Sequence, residues 1–274
     1  MPDAGVNASA GPTAMVGCGN LGMALLERAV RAGALDPART VVIDPDRRRL
    51  DQARALGVRA EASPEAAMGV AHVVLAVKPQ AFADVAARLS QAGPEVLATS
   101  VMAGWSGASI SAMLGGARVV RAMPNTPARI GLGFTCVAAG DGTGAGERDL
   151  ALVERLFAAV GRTARIDESR MDAATAMVGS APAYLFLLAE AQAEAAERMG
   201  IDPELARSAT AQTMLGAATL LAQEGADAAS LRAEVTSPHG TTAAAIEAFE
   251  RDGFRAIVAG AMQAARARAR ELGR

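Results

Sequence analysis

The sequence predicts an α/β protein in which an N-terminal, Rossmann-type doubly wound sheet is followed by an all-helical domain. Three observations carry that expectation. Residues 13–22, TAMVGCGNLG, run from a short apolar segment straight into a glycine turn, and a helical stretch follows at 23–32. Up to Arg165, β-rich runs alternate with amphipathic ones, the pattern of a parallel sheet with helices on both faces. Beyond Arg165 only helical periodicity remains, with Gly200, Gly225, Gly253 and Gly273 as stops and Pro203 near a start.

Taken in order, residues 1–12 (MPDAGVNASAGP) hold neither a basic n-region nor an apolar h-region, so they read as a disordered tail rather than a signal peptide. A strand at 14–16 opens into Gly17-Cys18-Gly19-Asn20-Leu21-Gly22. In such a turn the first glycine allows the tight bend, the second lets backbone approach a pyrophosphate, and the third lets helix and strand pack closely. The phosphates then meet the unpaired N–H groups of a helix N-terminus. The motif alone is weak, but a second strand at 41–43 closes on Asp44, 22 residues after Gly22, which is the spacing of a ribose-binding acid. Further strands are expected at 73–77, 96–100, 118–122 and 135–138, with helices such as 81–89 and 149–160 between them. Helices are then expected at 168–178, 181–199, 203–223, 228–235, 241–251 and 254–272. The expected domains are the tail at 1–12, a dinucleotide-binding Rossmann domain at 13–165 and a helical substrate-binding and dimerisation domain at 166–274. The uncharged stretch 173–189 approaches the length of a membrane span. Gly179, Ser180 and Pro182 interrupt it and Glu190, Glu194 and Glu197 follow, so a buried, broken helix pair is expected instead.

Composition narrows the function classes. A net charge of −2 gives no basic footprint for nucleic acid or an anionic membrane, so small molecules and copies of the chain are the expected partners. A helical half rich in small and aliphatic residues, in a chain with 3% aromatics, is expected to bury its surface against a second subunit. Two cysteines, Cys18 and Cys136, make no disulfide framework, which fits a reducing cytoplasm. No metal site is expected.

The polar candidates are few. Lys78, in Val77-Lys78-Pro79, is the only lysine, and it follows an apolar strand at the sheet edge where ligands bind in open α/β folds. Its compact ammonium suits a ribose or pyrophosphate. Arg121-Ala122-Met123-Pro124-Asn125-Thr126-Pro127 ends another strand, its prolines fixing a loop that reads either as a site wall or as a structural turn. Ser237-Pro238-His239-Gly240-Thr241-Thr242 precedes a helix and offers hydroxyls and backbone N–H groups as an anion site.

GCGNLG, AVKP, RAMPNTP, Gly179-Ser180-Ala181-Pro182-Ala183-Tyr184 and SPHGTT, in this order and at these separations, resemble the pyrroline-5-carboxylate reductase family of proline biosynthesis. The resemblance runs from about Thr13 to the C-terminus. It implies reduction of the cyclic imine carboxylate 1-pyrroline-5-carboxylate to L-proline by NADPH or NADH, in an intertwined homodimer; larger rings of dimers also occur in the family. It also implies an active site between the nucleotide domain of one chain and the helical domain of its partner. The residues it assigns to the cofactor are Gly17, Gly19, Asn20, Leu21, Gly22, Asp44, Ser63, Val77, Lys78, Pro79, Ala103 and Asn125. Gly240, Thr241 and Thr242 are assigned to the substrate carboxylate and ring nitrogen, with Ser237 beside them, and Val235, Ser180 and Glu168 to the substrate pocket. Glu168 reads equally as a helix N-terminal acid. Tyr184, the only tyrosine, reads as packing rather than as an acid, and His72 as structural. The chain departs from the family pattern at His239, Ala181 and Ala233.

A protonated imine is already electrophilic, so its reduction asks for orientation and a carboxylate clamp more than for a strong acid. A hydroxyacid dehydrogenase of similar plan needs a lysine in or near its helical part, and no lysine follows Lys78. The alternatives left are a reductase of another cyclic imine, such as a piperideine carboxylate, and a dinucleotide-binding protein without turnover. Asp44 predicts that NADH serves at least as well as NADPH. Arg47, Arg48 and Arg49 follow within a turn and offer the opposite choice, a phosphate clamp.

Overall fold

The computed structural model describes residues 11–273, so the expected tail lies, through residue 10, outside the described residues. The sheet has eight strands in the order β3-β2-β1-β4-β5-β6-β7-β8. They are β1 (Thr13–Val16), β2 (Thr40–Ile43), β3 (Arg59–Glu61), β4 (His72–Leu75), β5 (Leu97–Ser100), β6 (Arg118–Met123), β7 (Gly133–Ala139) and β8 (Gly161–Arg165). Strands β1, β2, β4 and β5 are buried at every position, as strands covered on both faces must be. Alternation divides their side chains between two apolar layers. Met15, Val42 and Val74 meet α1 (Asn20–Arg31) and α5 (Glu147–Ala158) through Leu25, Leu26, Leu156 and Phe157. Ala14, Val16, Val41, Ile43, Val73 and Leu75 meet α3 (Phe82–Leu89) and α4 (Gly107–Met113) through Phe82, Leu89 and Ile110. A short helix, α2 (Arg47–Arg54), follows β2, and Asp46 caps it by accepting Arg48 N–H at 2.9 Å.

The expected all-parallel sheet needs one correction, because β6 and β7 run antiparallel. Their connection at 124–132 is too short for a parallel crossover. Strands β3 and β8 were not expected at all; they stand at the two edges of the sheet, where a strand carries little apolar pattern.

The last strand ends at Arg165, but the chain divides into compact units later. One unit runs through Ser180 and takes back the segment from Ala264 onward; the other is Ala181–Gln263. In the first unit α6 (Met171–Ala174) continues as a π-helical turn, Thr175–Gly179, and Met171, Ala174 and Val178 pack on Met123 and Cys136. The end of α11 (Phe254–Leu272) closes on the loop after β5. Gly104 there lies so near it that a Cβ would meet Ala269 O and Gly273 N, each at 2.6 Å.

The second unit is built from α7 (Ala181–Arg198), α8 (Pro203–Leu221), α9 (Ala228–Glu234), α10 (Thr241–Arg251) and the first part of α11. The helix pair expected to be buried at 173–189 is broken at Gly179 and Ser180; its first half is buried through Ala174, Ala176 and Val178, but its second is not covered within the chain, with Leu185, Phe186 and Leu187 58, 62 and 66% exposed. The stretch Glu168–Arg198 has the length and composition of a membrane span, and only 28% of its apolar window is buried. An apolar groove of about 1300 Å³ runs along the same helices, lined by Leu188, Met199, Ile246, Phe249, Phe254 and Val258 among others.

Candidate functional site

The glycine turn is built as a cradle. Gly17 has φ +91°, and a Cβ on it would meet Ala76 O at 2.6 Å, so strand β4 delivers its 76–79 loop directly beside the turn. A Cβ on Gly22 would stand 2.4 Å from Gly17 O, the close helix and strand approach that the third glycine permits. Asn20 and Leu21 open α1, whose N-terminus no side chain caps, leaving its first N–H groups for an anion. These features fit a dinucleotide pyrophosphate. Val77, Lys78 and Pro79 line the neighbouring loop, with Lys78 exposed. Trp105, the sole tryptophan, donates its indole N–H to Pro79 O at 3.1 Å and stands edge-on to Phe82 at 4.9 Å. It ties the loop of Ala103 to that of Lys78. Sequence reasoning missed it, although its uniqueness was a signal.

Asp44 ends β2 where the spacing placed it, but its side chain is 2% exposed. One carboxylate oxygen accepts Cys18 N–H at 2.7 Å and the other accepts Asp46 N–H at 2.9 Å. Arg49 Nη1 stands 3.4 Å from the first. Burial, with Asp44 beside it, pushes the Cys18 thiol up to about 12, so it stays protonated.

Ser63 is not joined to this cluster; its hydroxyl accepts Arg88 Nη2–H at 2.7 Å and bonds to Glu65 on the surface. Asn125 Oδ1 accepts Phe134 N–H at 3.0 Å, which pins the 124–132 loop across its own hairpin and leaves the amide NH₂ as its donor. Gly179 lies against Met123, where a Cβ would meet its sulfur at 3.1 Å, and so sets Ser180 beside the RAMPNTP segment.

Glu168 departs from the pocket-facing role drawn from the resemblance. Its carboxylate accepts Gly107 N–H at 2.6 Å and Asp141 N–H at 2.5 Å, and it faces Arg121. Those contacts occupy it with structure: it caps α4, a neighbouring helix, rather than a substrate.

In the second unit, Val235 ends α9 and is 66% exposed. Ser237 and Gly240 close a turn, Gly240 N–H reaching Ser237 O at 3.0 Å. A Cβ on Gly240 would meet Ser237 Oγ at 2.4 Å, so a larger residue there would turn the serine hydroxyl aside. Gly240 also forms the N-cap of α10 without a side-chain bond, which leaves the N–H groups of Thr241 and Thr242 for an anion. His239 holds φ +59°, the only non-glycine residue with positive φ among the described residues. The Tyr184 hydroxyl is buried and has no hydrogen-bond partner among the described residues. No group of three or more His, Cys, Asp or Glu side chains is placed to hold a metal among the described residues.

Two family models match the chain: "Pyrroline-5-carboxylate reductase dimerisation" at residues 168–272 and "NADP oxidoreductase coenzyme F420-dependent" at 12–104. A pyrroline-5-carboxylate reductase of Pseudomonas aeruginosa is 40% identical over 265 residues, covering 94% of this chain and 96% of that protein. Among solved structures, a pyrroline-5-carboxylate reductase from Coxiella burnetii superposes with a TM-score of 0.87 at 33% identity, covering 97% of this chain and all of that one. The pyrroline carboxylate reductase of Plasmodium falciparum, solved with NADP bound, shares the fold with a TM-score of 0.85 at 24% identity over 98% of this chain.

Proposed function

Because the chain belongs to the pyrroline-5-carboxylate reductase family, we propose that it reduces 1-pyrroline-5-carboxylate to L-proline with NAD(P)H, as a soluble cytoplasmic homodimer. The observation that carries the reading is the pair of uncapped helix N-termini, each behind a glycine. That of α1 suits a pyrophosphate, and that of α10 suits a carboxylate.

The reduced dinucleotide, when bound, supplies the hydride to the imine carbon. Everything else falls to the chain. The N–H groups of Thr241 and Thr242 hold the substrate carboxylate, while that of Gly240, expected to join them, is spent on Ser237 O; the Thr242 hydroxyl meets the ring nitrogen, directly or through a water. Lys78 and Asn125 face the dinucleotide from their loops. Neither a potent acid nor a metal is called on, since the protonated imine needs position above all.

Homodimerisation through the helical unit accounts for its exposed apolar side chains and for the long groove, since a second copy offers the same complementary surface. Steady-state assays with both cofactors, on five- and six-membered cyclic imine carboxylates, test the proposal. Turnover of the five-membered ring is expected to lead. Preference for the six-membered ring would reassign the substrate, and dinucleotide binding without turnover would mark a sensor.

A further inference from the structure

We infer that Arg49 reads the 2′-phosphate of NADPH and that Asp44 is a positioning residue of the glycine turn, so that this chain prefers NADPH. The inference rests on the first unit's binding a dinucleotide, and it reverses the expectation drawn from the place of Asp44 in the sequence. An acid that selects unphosphorylated ribose must face the ligand with free lone pairs. Asp44 faces inward. Its side chain is 2% exposed, and the bond from Cys18 N–H at 2.7 Å fastens the β1–α1 turn to the end of β2 across 26 residues. The bond from Asp46 N–H at 2.9 Å folds the corner into α2. What charge remains is opposed by Arg49, whose Nη1 lies 3.4 Å away. A 2′-phosphate therefore meets a carboxylate that is buried, hydrogen-bonded and paired.

Arg49 is placed to meet that phosphate instead. Its side chain is 44% exposed, and its second acidic neighbour is distant, with Nε 3.7 Å from Asp46 Oδ2. Nη1 lies 4.0 Å from the point where a Cβ on Gly19 would stand, so the guanidinium overhangs the glycine turn. Five N–H donors with only two long contacts leave a planar fork for a dianion, and Arg–phosphate pairs are among the stronger charge-assisted contacts. Arg48 adds positive charge from the same helical turn, 92% exposed and 3.7 Å from Asp46. The corner holds Arg47, Arg48 and Arg49 against Asp44 and Asp46, a net positive charge.

The test is calorimetric titration of the full-length protein with 2′-phospho-ADP-ribose and with ADP-ribose, which reads binding without turnover. The wild type is expected to bind the 2′-phosphorylated ligand at least about tenfold tighter. Arg49→Gln is expected to lose that preference while ADP-ribose affinity stays within about threefold, and Arg49→Lys to restore part of it. Asp44→Asn is expected to weaken both ligands by the same factor; if it fails to fold, the Arg49 pair still decides. Equal wild-type affinities, or an Arg49→Gln change shared by both ligands, would overturn the inference. So would an Asp44→Asn loss confined to ADP-ribose. A wild type that binds neither ligand, nor NADPH, would instead remove the dinucleotide reading of the first unit, and the inference with it.

Discussion

Arg121 Nη1 and Glu168 Oε1 stand 3.5 Å apart with side chains only 5 and 7% exposed, a buried ion pair at the base of the RAMPNTP loop. Burial pulls the pKa of Arg121 down while Glu168 and Asp172 work against that, and Asp172 is itself paired with Arg270 at 3.3 Å. Two backbone amides, of Gly107 and Asp141, complete the carboxylate's partners.

Glu168→Ala is therefore expected to cost roughly 3–5 kcal/mol, because it strands a buried guanidinium and two amides. Glu168→Gln keeps acceptors for the amides and is expected to cost less. Urea unfolding measures both. A Gln variant of unchanged stability with a raised KM for the imine would return Glu168 to the substrate pocket.

Thr242→Val is expected to lower kcat/KM for the imine by roughly 10- to 150-fold, the value of a hydrogen bond to a charged group of about 1.5–3 kcal/mol. NADPH affinity, which the proposed function assigns to the glycine turn of the other unit, is expected to stay within about twofold. Wild-type efficiency in the variant would show that the hydroxyl is idle.

Phe249→Asp places a charge in the apolar groove of the helical unit, where Phe249 is 49% exposed and lies tilted against Phe254 with ring centroids 5.3 Å apart. An obligate interface buries more than about 2000 Å² of apolar-rich surface, and a carboxylate there is left unpaired. Sedimentation is expected to show a dimeric wild type and a monomeric, inactive variant. A dimeric, fully active variant would move the interface away from this groove.

His72 provides a pH signature. Full burial in β4 pushes its pKa down to about 4, and Nε2 shares a 2.8 Å hydrogen bond with Thr99 Oγ1. The native state thus holds the neutral ring while the unfolded chain takes up a proton near 6.5. Its contribution is whole above about pH 6.5 and declines as pH falls toward 4, by about 3 kcal/mol in all. His72→Gln is expected to flatten that part of the stability profile measured by urea unfolding between pH 7 and 4. An unchanged slope would mean that other groups set it.

The two halves of the chain were not equally legible. Helices at 241–251 and 254–272 coincide with α10 and α11 because glycines and a changed periodicity punctuate them. Strands β3 and β8 escaped because Arg59–Glu61 and Gly161–Arg165 are edge strands, held by backbone bonds that need no apolar run. The stretch 173–189 reads as buried because its composition asks for cover; Ala174, Ala176 and Val178 find it in the chain and Leu185, Phe186 and Leu187 do not, and composition does not say where the cover lies. Asp44 shows a subtler gap. Its position follows from spacing, but its direction follows from Cys18 N–H, a partner 26 residues away that no pattern marks.

The return of α11 to the first unit makes the helical unit an insertion in the topological sense, with the chain leaving at Ser180 and re-entering at Ala264. Removal of the residues from Ala269 onward would thus wound the Rossmann half, by baring the loop of Gly104, Trp105 and Ala103, and not the helical half that α11 helps to build. A single proteolytic nick within the insertion leaves both of its ends still fastened to the first unit, and a label attached after Gly273 reports on the loop of Gly104.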